Sequence, residues 1–249
     1  NGVDEEAPAR LFVMGANEWR DEREWPLART DWQPWYLHSG GAAVTLLGDG
    51  TLSARAPGDE PADRFVYHPD HPVPTSGGPN CCSPEIVPWG AFDQRPVEMR
   101  ADVLVYTSEP LERDLEVIGP ITVVLYAATD GPDTDWTAKL VDVRPSGFAM
   151  NLCDGIIRAR WRDGGPEPAG GVPCQPPVSP LYVPRNSASG VRARIFTSSD
   201  GERCSTYQTS SSIRSAHGSA ARPFTCAQPV SPGFTSSRRR CLGVYFSTW

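Results

Sequence analysis

Seven cysteines are the first candidates for chemistry in this 249-residue chain, and two of them, Cys81 and Cys82, are adjacent. An odd number cannot close into a complete set of internal disulfides. No Cys-x-x-Cys pair occurs, and no His stands at ligand spacing from a cysteine. A zinc site needs a full set of such ligands, so neither a metal centre nor a cofactor is expected, and free thiols point to a reducing cytoplasm. His68-Pro69-Asp70-His71-Pro72 combines two imidazoles with a carboxylate. Each proline restricts the backbone of the residue before it, so the segment reads as a rigid turn. Asp133 and Asp135 fall short of the roughly six to eight oxygens that Ca²⁺ takes, and read as polarity at the start of a strand. Asp93-Gln94-Arg95-Pro96 offers a buried ion pair that could fix a long loop, or alternatively a contact for a neighbouring domain. Among eight tryptophans, Trp19, Trp25, Trp32 and Trp35 lie close together. Exposed rings would stack on sugars; packing between domains is the expectation here.

The scaffold that must position these groups divides in two. Residues 1–165 carry 14 basic and 27 acidic side chains, a balance of −13, whereas 166–249 carry 9 and 3, a balance of +6 supplied by Arg alone. The second segment is Ser- and Pro-rich, with apolar residues scattered. Such composition buries too little apolar area to offset its ordering entropy and predicts an irregular tail. Arg238-Arg239-Arg240 is the kind of run that meets nucleic acid, but the strongly acidic main segment argues against that partner. No stretch approaches the roughly 20 apolar residues that span a bilayer, so no membrane partner is expected. The chain opens Asn1-Gly2-Val3-Asp4 without Met or a basic-then-apolar leader, and is expected to continue something upstream.

Within 1–165 the pattern is of short strands. Residues 9–14, 102–107, 121–126, 137–143 and 156–161 are β-branched or apolar runs bounded by turn signals such as Arg144-Pro145-Ser146-Gly147. No run has helical period, which predicts a β-sandwich or barrel with long loops at 15–34 and 68–98.

At this level the residues resemble a known family. Leu11-Phe12-Val13-Met14-Gly15-Ala16-Asn17-Glu18-Trp19-Arg20 and Tyr36-Leu37-His38-Ser39 are similar to the C-terminal domain of the cocaine-esterase and X-prolyl dipeptidyl-peptidase (CocE/NonD) family of serine hydrolases. The likeness continues through Gly48-Asp49-Gly50-Thr51-Leu52, residues 70–78 and 92–98. It is densest over 102–108, 133–143 and Asn151-Leu152-Cys153-Asp154-Gly155-Ile156-Ile157-Arg158. Several motifs in one order form a specific signal.

The resemblance implies an all-β, jelly-roll, galactose-binding-like sandwich over 1–165, paired in cis with an upstream α/β-hydrolase domain that holds the Ser-His-Asp triad. The triad nucleophile needs a tight Gly-x-Ser-x-Gly elbow, and none occurs here. The family's catalytic His and Asp also lie upstream, so no catalytic residue is assigned. In the alternative reading of Asp93-Gln94-Arg95-Pro96, the contact would be with that catalytic domain. The loop holding Asn80, Cys81 and Cys82 would face the substrate mouth, where a small ester or peptide is cleaved through a Ser acyl-enzyme. The likeness stops near Trp161-Arg162-Asp163, so the sandwich is expected to be incomplete. Residues 166–249 are compatible with a shifted reading frame: moving the frame of Arg222-Pro223-Phe224-Thr225 by two bases yields Thr-Val-Tyr, and of Phe234-Thr235-Ser236-Ser237, His-Val-Val. Because one fold hosts many functions, the alternative is a non-catalytic carbohydrate-binding module.

Overall fold

The computed structural model describes residues 6–79, 85–86, 88–161, 192–199, 233–236 and 240–248, and for 161, 192–199 and 233–236 the backbone alone. The strands are β1 (Ala9–Met14), β2 (Glu18–Glu22), β3 (Asp31–His38), β4 (Thr51–Ser53), β5 (Leu104–Ser108) and β6 (Leu115–Val117). They continue with β7 (Thr122–Tyr126), β8 (Asp135–Val143), β9 (Ala149–Arg158), β10 (Arg192–Ser199), β11 (Gly233–Ser236) and β12 (Cys241–Thr248). The described residues also include a four-residue helix, α1 (Arg95–Glu98), and a 3-10 turn at Ala159–Trp161. The smaller sheet runs β2-β1-β11-β6 and the larger β7-β10-β3-β4-β5-β12-β8-β9. This is the expected all-β sandwich.

β5 and β12 lie at the centre of the larger sheet and bury both faces. Leu104 and Tyr106 join Leu242, Val244 and Phe246 on one face, with Leu37, Leu52, Trp136 and Leu140 around them. Their alternate neighbours Val105 and Tyr245 pack on the other face with Val73, Val97, Val103 and Val141. A strand covered on both sides needs apolar residues in succession rather than in alternation, and Leu242-Gly243-Val244-Tyr245-Phe246 supplies them. Gly243 belongs to the fit, because a Cβ there would stand 2.7 Å from Val141 Cγ2. The Tyr106 and Phe246 rings meet edge to face at 6.0 Å. At the outer end of β12, Arg240 donates to the buried Asp142 carboxylate at 2.5 Å. Leu11, Val13, Leu27 and Ile118 form a smaller cluster under β1.

Composition predicts an irregular segment over 166–249, and the structure corrects this for three strands. β10 lies antiparallel between β7 and β3, β11 runs parallel to β1, and β12 is inserted between β5 and β8. The apolar run 242–246 is short, and averaging it with its Ser- and Arg-rich surroundings hides it. The remaining residues of that segment lie outside the described ones. The predicted loop 15–34 likewise contains β2 and the start of β3. β2 is the charged sequence Glu-Trp-Arg-Asp-Glu at a sheet edge, and edge strands carry charge because their outer backbone must not pair with other chains. The predicted strand 156–161 ends at Arg158.

Phe246 has no exposed surface and Leu47 is 79% exposed. Phe246→Ala is expected to cost about 3–5 kcal/mol in urea unfolding, and Leu47→Ala within about 0.5 kcal/mol.

Candidate functional site

The loop singled out from the sequence leaves and rejoins the sandwich through a clamped neck. Gly78 and Gly90 exchange backbone hydrogen bonds, Gly78 N–H to Gly90 O at 2.8 Å and the reverse at 3.0 Å. Gly77 adopts φ +68° beside this bridge, and a Cβ there would come within 2.5 Å of Gly90 O. Only glycine meets both demands. Below the neck lies a buried amide network. Gln94, with no exposed surface, donates through Nε2 to Ser76 O (2.9 Å) and Phe92 O (3.0 Å), and approaches Asn151 Oδ1 at 3.3 Å. Its Oε1 accepts from the Tyr245 hydroxyl at 2.7 Å. Asn151 Oδ1 accepts from Phe92 N–H at 2.6 Å, and its Nδ2 donates to Gly90 O at 3.3 Å. The loop neck is thereby tied to β9 and, through Tyr245, to the centre of the larger sheet.

A bulge in β9 makes this possible. Leu140 pairs with Cys153 and Val141 with Asn151, leaving Leu152 as the extra residue. Strand side chains alternate, so residues 149–157 of odd number would share one face without it. With it, Cys153 and Ile157 pack on the β12 Phe246 side, while Ala149 turns to the Tyr245 side and Asn151 reaches the loop neck.

The Asp93-Gln94-Arg95 motif does fix the loop, in a way the sequence only half suggests. Arg95 Nε and Nη2 grip the Asp93 carboxylate at 2.8 and 2.5 Å, but these side chains are 25% and 43% exposed. The buried anchor is Gln94 between them. The Arg95 hydrogen bond holds the Asp93 carboxyl below its ordinary range, helped by Ala149 N–H. α1 follows, docking Val97 into the core and burying Glu98. Glu98 Oε2 has no hydrogen-bond partner. Burial, aided by the negative charge of Asp93 and opposed by Arg95, lifts its carboxyl from 4.5 to about 7.

Asn80, Cys81 and Cys82 lie outside the described residues. Beside them the loop exposes Ile86 and Trp89, with Phe92 at its base. The turn at His68–His71 is closed by His71 N–H to His68 O at 2.9 Å. Asp135 is paired with Arg158 at 2.7 Å and Asp133 with Arg160, so both carboxylates are neutralised across the β8–β9 edge. Among the described residues no group of His, Cys, Asp or Glu could hold a metal ion, and no helix is long and apolar enough to cross a membrane. Burial with nearby Glu109 and Asp142 pushes the Cys241 thiol up. Trp19, Trp25 and Trp32 are exposed; Trp19 packs against Phe12 with Arg10 above it. Tyr245 is the anchor that the sequence reading misses, because it lies in the segment read as irregular.

A two-sheet sandwich presenting one clamped loop defines an accessory β domain. A family profile described as the X-Pro dipeptidyl-peptidase C-terminal non-catalytic domain matches residues 1–237, and the chain belongs to that family. The match runs well past residue 163, where the resemblance ceases to be legible by eye. Cocaine esterase of Rhodococcus sp. (strain MB1 Bresler) is 49% identical over 154 residues, covering 62% of this chain and 26% of the esterase. An alpha-amino acid ester hydrolase structure superposes with a TM-score of 0.62 at 23% identity, over 97% of this chain and 33% of that one. An aminopeptidase from the marine sediment archaeon Thaumarchaeota archaeon gives 0.60 at 22%, over 97% and 33%. The two structures share the fold. The chain spans about a quarter of the length of the curated relatives it matches.

Because the folded state raises the Glu98 pKa, the protonated form is the stable one. Stability is therefore full below about pH 4.5 with respect to this group and falls as pH rises through about 7, a loss on the order of 3 kcal/mol. Glu98→Gln should match the parent Tm at pH 5 and exceed it at pH 8.5.

Proposed function

We propose that this domain works in cis with an upstream α/β-hydrolase domain, as the accessory wall of a serine esterase or X-Pro dipeptidyl-peptidase. The partner supplies the nucleophile and cleaves a small ester or peptide through a Ser acyl-enzyme. This chain supplies no residue to that chemistry. Its loop, with Asn80, Cys81 and Cys82, borders the acyl side of the cleft. The observation that carries the reading is the 49% identity to cocaine esterase across the sandwich. The clamped neck supports it, because a loop that shapes a pocket needs a fixed base. Exposed Ile86, Trp89 and Phe92 offer apolar area of the kind a domain interface covers. The free Cys241 thiol suits a cytoplasmic setting.

The chain alone is expected to show no sustained turnover of p-nitrophenyl esters or X-Pro amides. In a hydrolase carrying this domain, Cys82→Trp should raise KM for bulky acyl esters by about tenfold or more. Sustained turnover by the chain alone, or an unmoved KM, would sink the reading. Glycan-array binding with quenching of Trp fluorescence would instead indicate a carbohydrate-binding module.

A further inference from the structure

At the C-terminal end of β3, three side chains from separate segments form a proton relay that the accessory role does not use. We propose that Ser53 is an activated, acylatable serine, set up by His38 and Glu60.

Ser53 Oγ lies 3.0 Å from His38 Nε2, and His38 Nδ1 lies 2.8 Å from Glu60 Oε1. A carboxylate only accepts, so Nδ1 must carry the hydrogen, and in the neutral ring Nε2 is left as the acceptor for the serine proton. That is the order nucleophile, base, orienting acid, which is recognised by geometry and not by position in a sequence. Each partner is held. His38 ends β3 and is 7% exposed, and Ser53 ends the adjacent β4, whose register pairs Tyr36 with Ser53. Glu60 Oε2 accepts from Ser39 N–H at 3.3 Å. The nearby Asp63 does not compete for the ring, because it binds the Tyr106 hydroxyl and Ser39 Oγ at 2.6 Å each and Ala43 N–H at 2.8 Å.

The serine is also reachable. Ser53 is partly exposed, and Ala54, Arg55 and Ala56 after it are exposed. A Cβ added to Gly58 in the same segment would meet nothing within 4 Å. A buried imidazole beside a partly exposed serine gives an approaching acyl carbon a nucleophile with its base in place.

In the step, Ser53 Oγ bonds to the carbonyl carbon of an activated carboxylic ester while its proton passes to His38 Nε2. The acyl C–O bond then breaks, and the alcohol or phenol leaves with that proton. Fluorophosphonates follow the same course, an O–P bond replacing P–F and fluoride leaving. The Arg55 N–H is committed to Ser53 Oγ at 3.2 Å and so is not placed as a donor to a developing oxyanion. Acylation and deacylation both pass through an oxyanion and both slow without such donors, so only an activated reagent is expected to react, leaving a stoichiometric adduct and not a catalytic cycle. This separates the proposal from the esterase activity assigned to the partner domain.

The full 249-residue chain would be treated with a fluorophosphonate and, separately, with p-nitrophenyl acetate, followed by intact-mass measurement and peptide mapping. One adduct per chain on Ser53 is expected, with one equivalent of p-nitrophenolate and no continued release. His38→Asn should slow adduct formation on the order of 100-fold, Glu60→Gln should slow it less, and Ser53→Ala should abolish it. Mapping the parent chain before and after urea unfolding needs no variant: unfolding should remove the reactivity. Absence of the Ser53 adduct, an equal rate in urea, or an unchanged rate in a folded His38→Asn variant would overturn the proposal.

Discussion

The structure depends on the insertion of β12 between β5 and β8. Eight consecutive residues, Cys241 to Thr248, pair with Val143 to Trp136 on one side, and Gly243 to Phe246 pair with Thr107 to Leu104 on the other. Both faces of the strand are covered, so Phe246 and Tyr245 serve two different cores. The larger sheet has no centre without it, and the neighbouring strands would each be left with an open hydrogen-bonding edge.

The polar interior is arranged around that strand. Tyr245 sends its hydroxyl to Gln94, Gln94 and Asn151 satisfy the backbone of the loop neck, and burial raises the Tyr245 hydroxyl's pKa further. A buried amide is worth keeping when its donors and acceptors are all met, since a half-met one is costly. Glu98, a few residues on, is one exception among the described residues, with one oxygen unmet. The two environments sit at opposite ends of α1. The loop base is thus rigid at Gln94 and pH-sensitive at Glu98.

The strands at 104–108, 122–126 and 135–143 were legible because their apolar runs are uninterrupted and bounded by turn residues. The family likeness reached further than any periodicity, since it identified the domain. Three features escaped. The β9 bulge follows from pairing with β8, and nothing in Asn151-Leu152-Cys153 marks the change of face. β12 was masked by its polar surroundings. The His38–Ser53–Glu60 relay joins residues 15 and 22 positions apart in segments whose pairing only the fold supplies. Local sequence carries strand identity well and cross-strand geometry poorly.

The position of β12 in the chain also sets an order of events during synthesis. The strand completes a sheet whose other members were made long before it, Trp136 waiting for Thr248 and Leu104 for Phe246. Pairings between segments so far apart form slowly, because the closure entropy must be met before the contacts reward it. The nascent domain therefore holds two facing, unpaired strand edges until β12 emerges, and in that interval it is exposed to pairing with other chains. The same interval leaves Gln94 without Tyr245. The loop neck gains this tie only once β12 has paired.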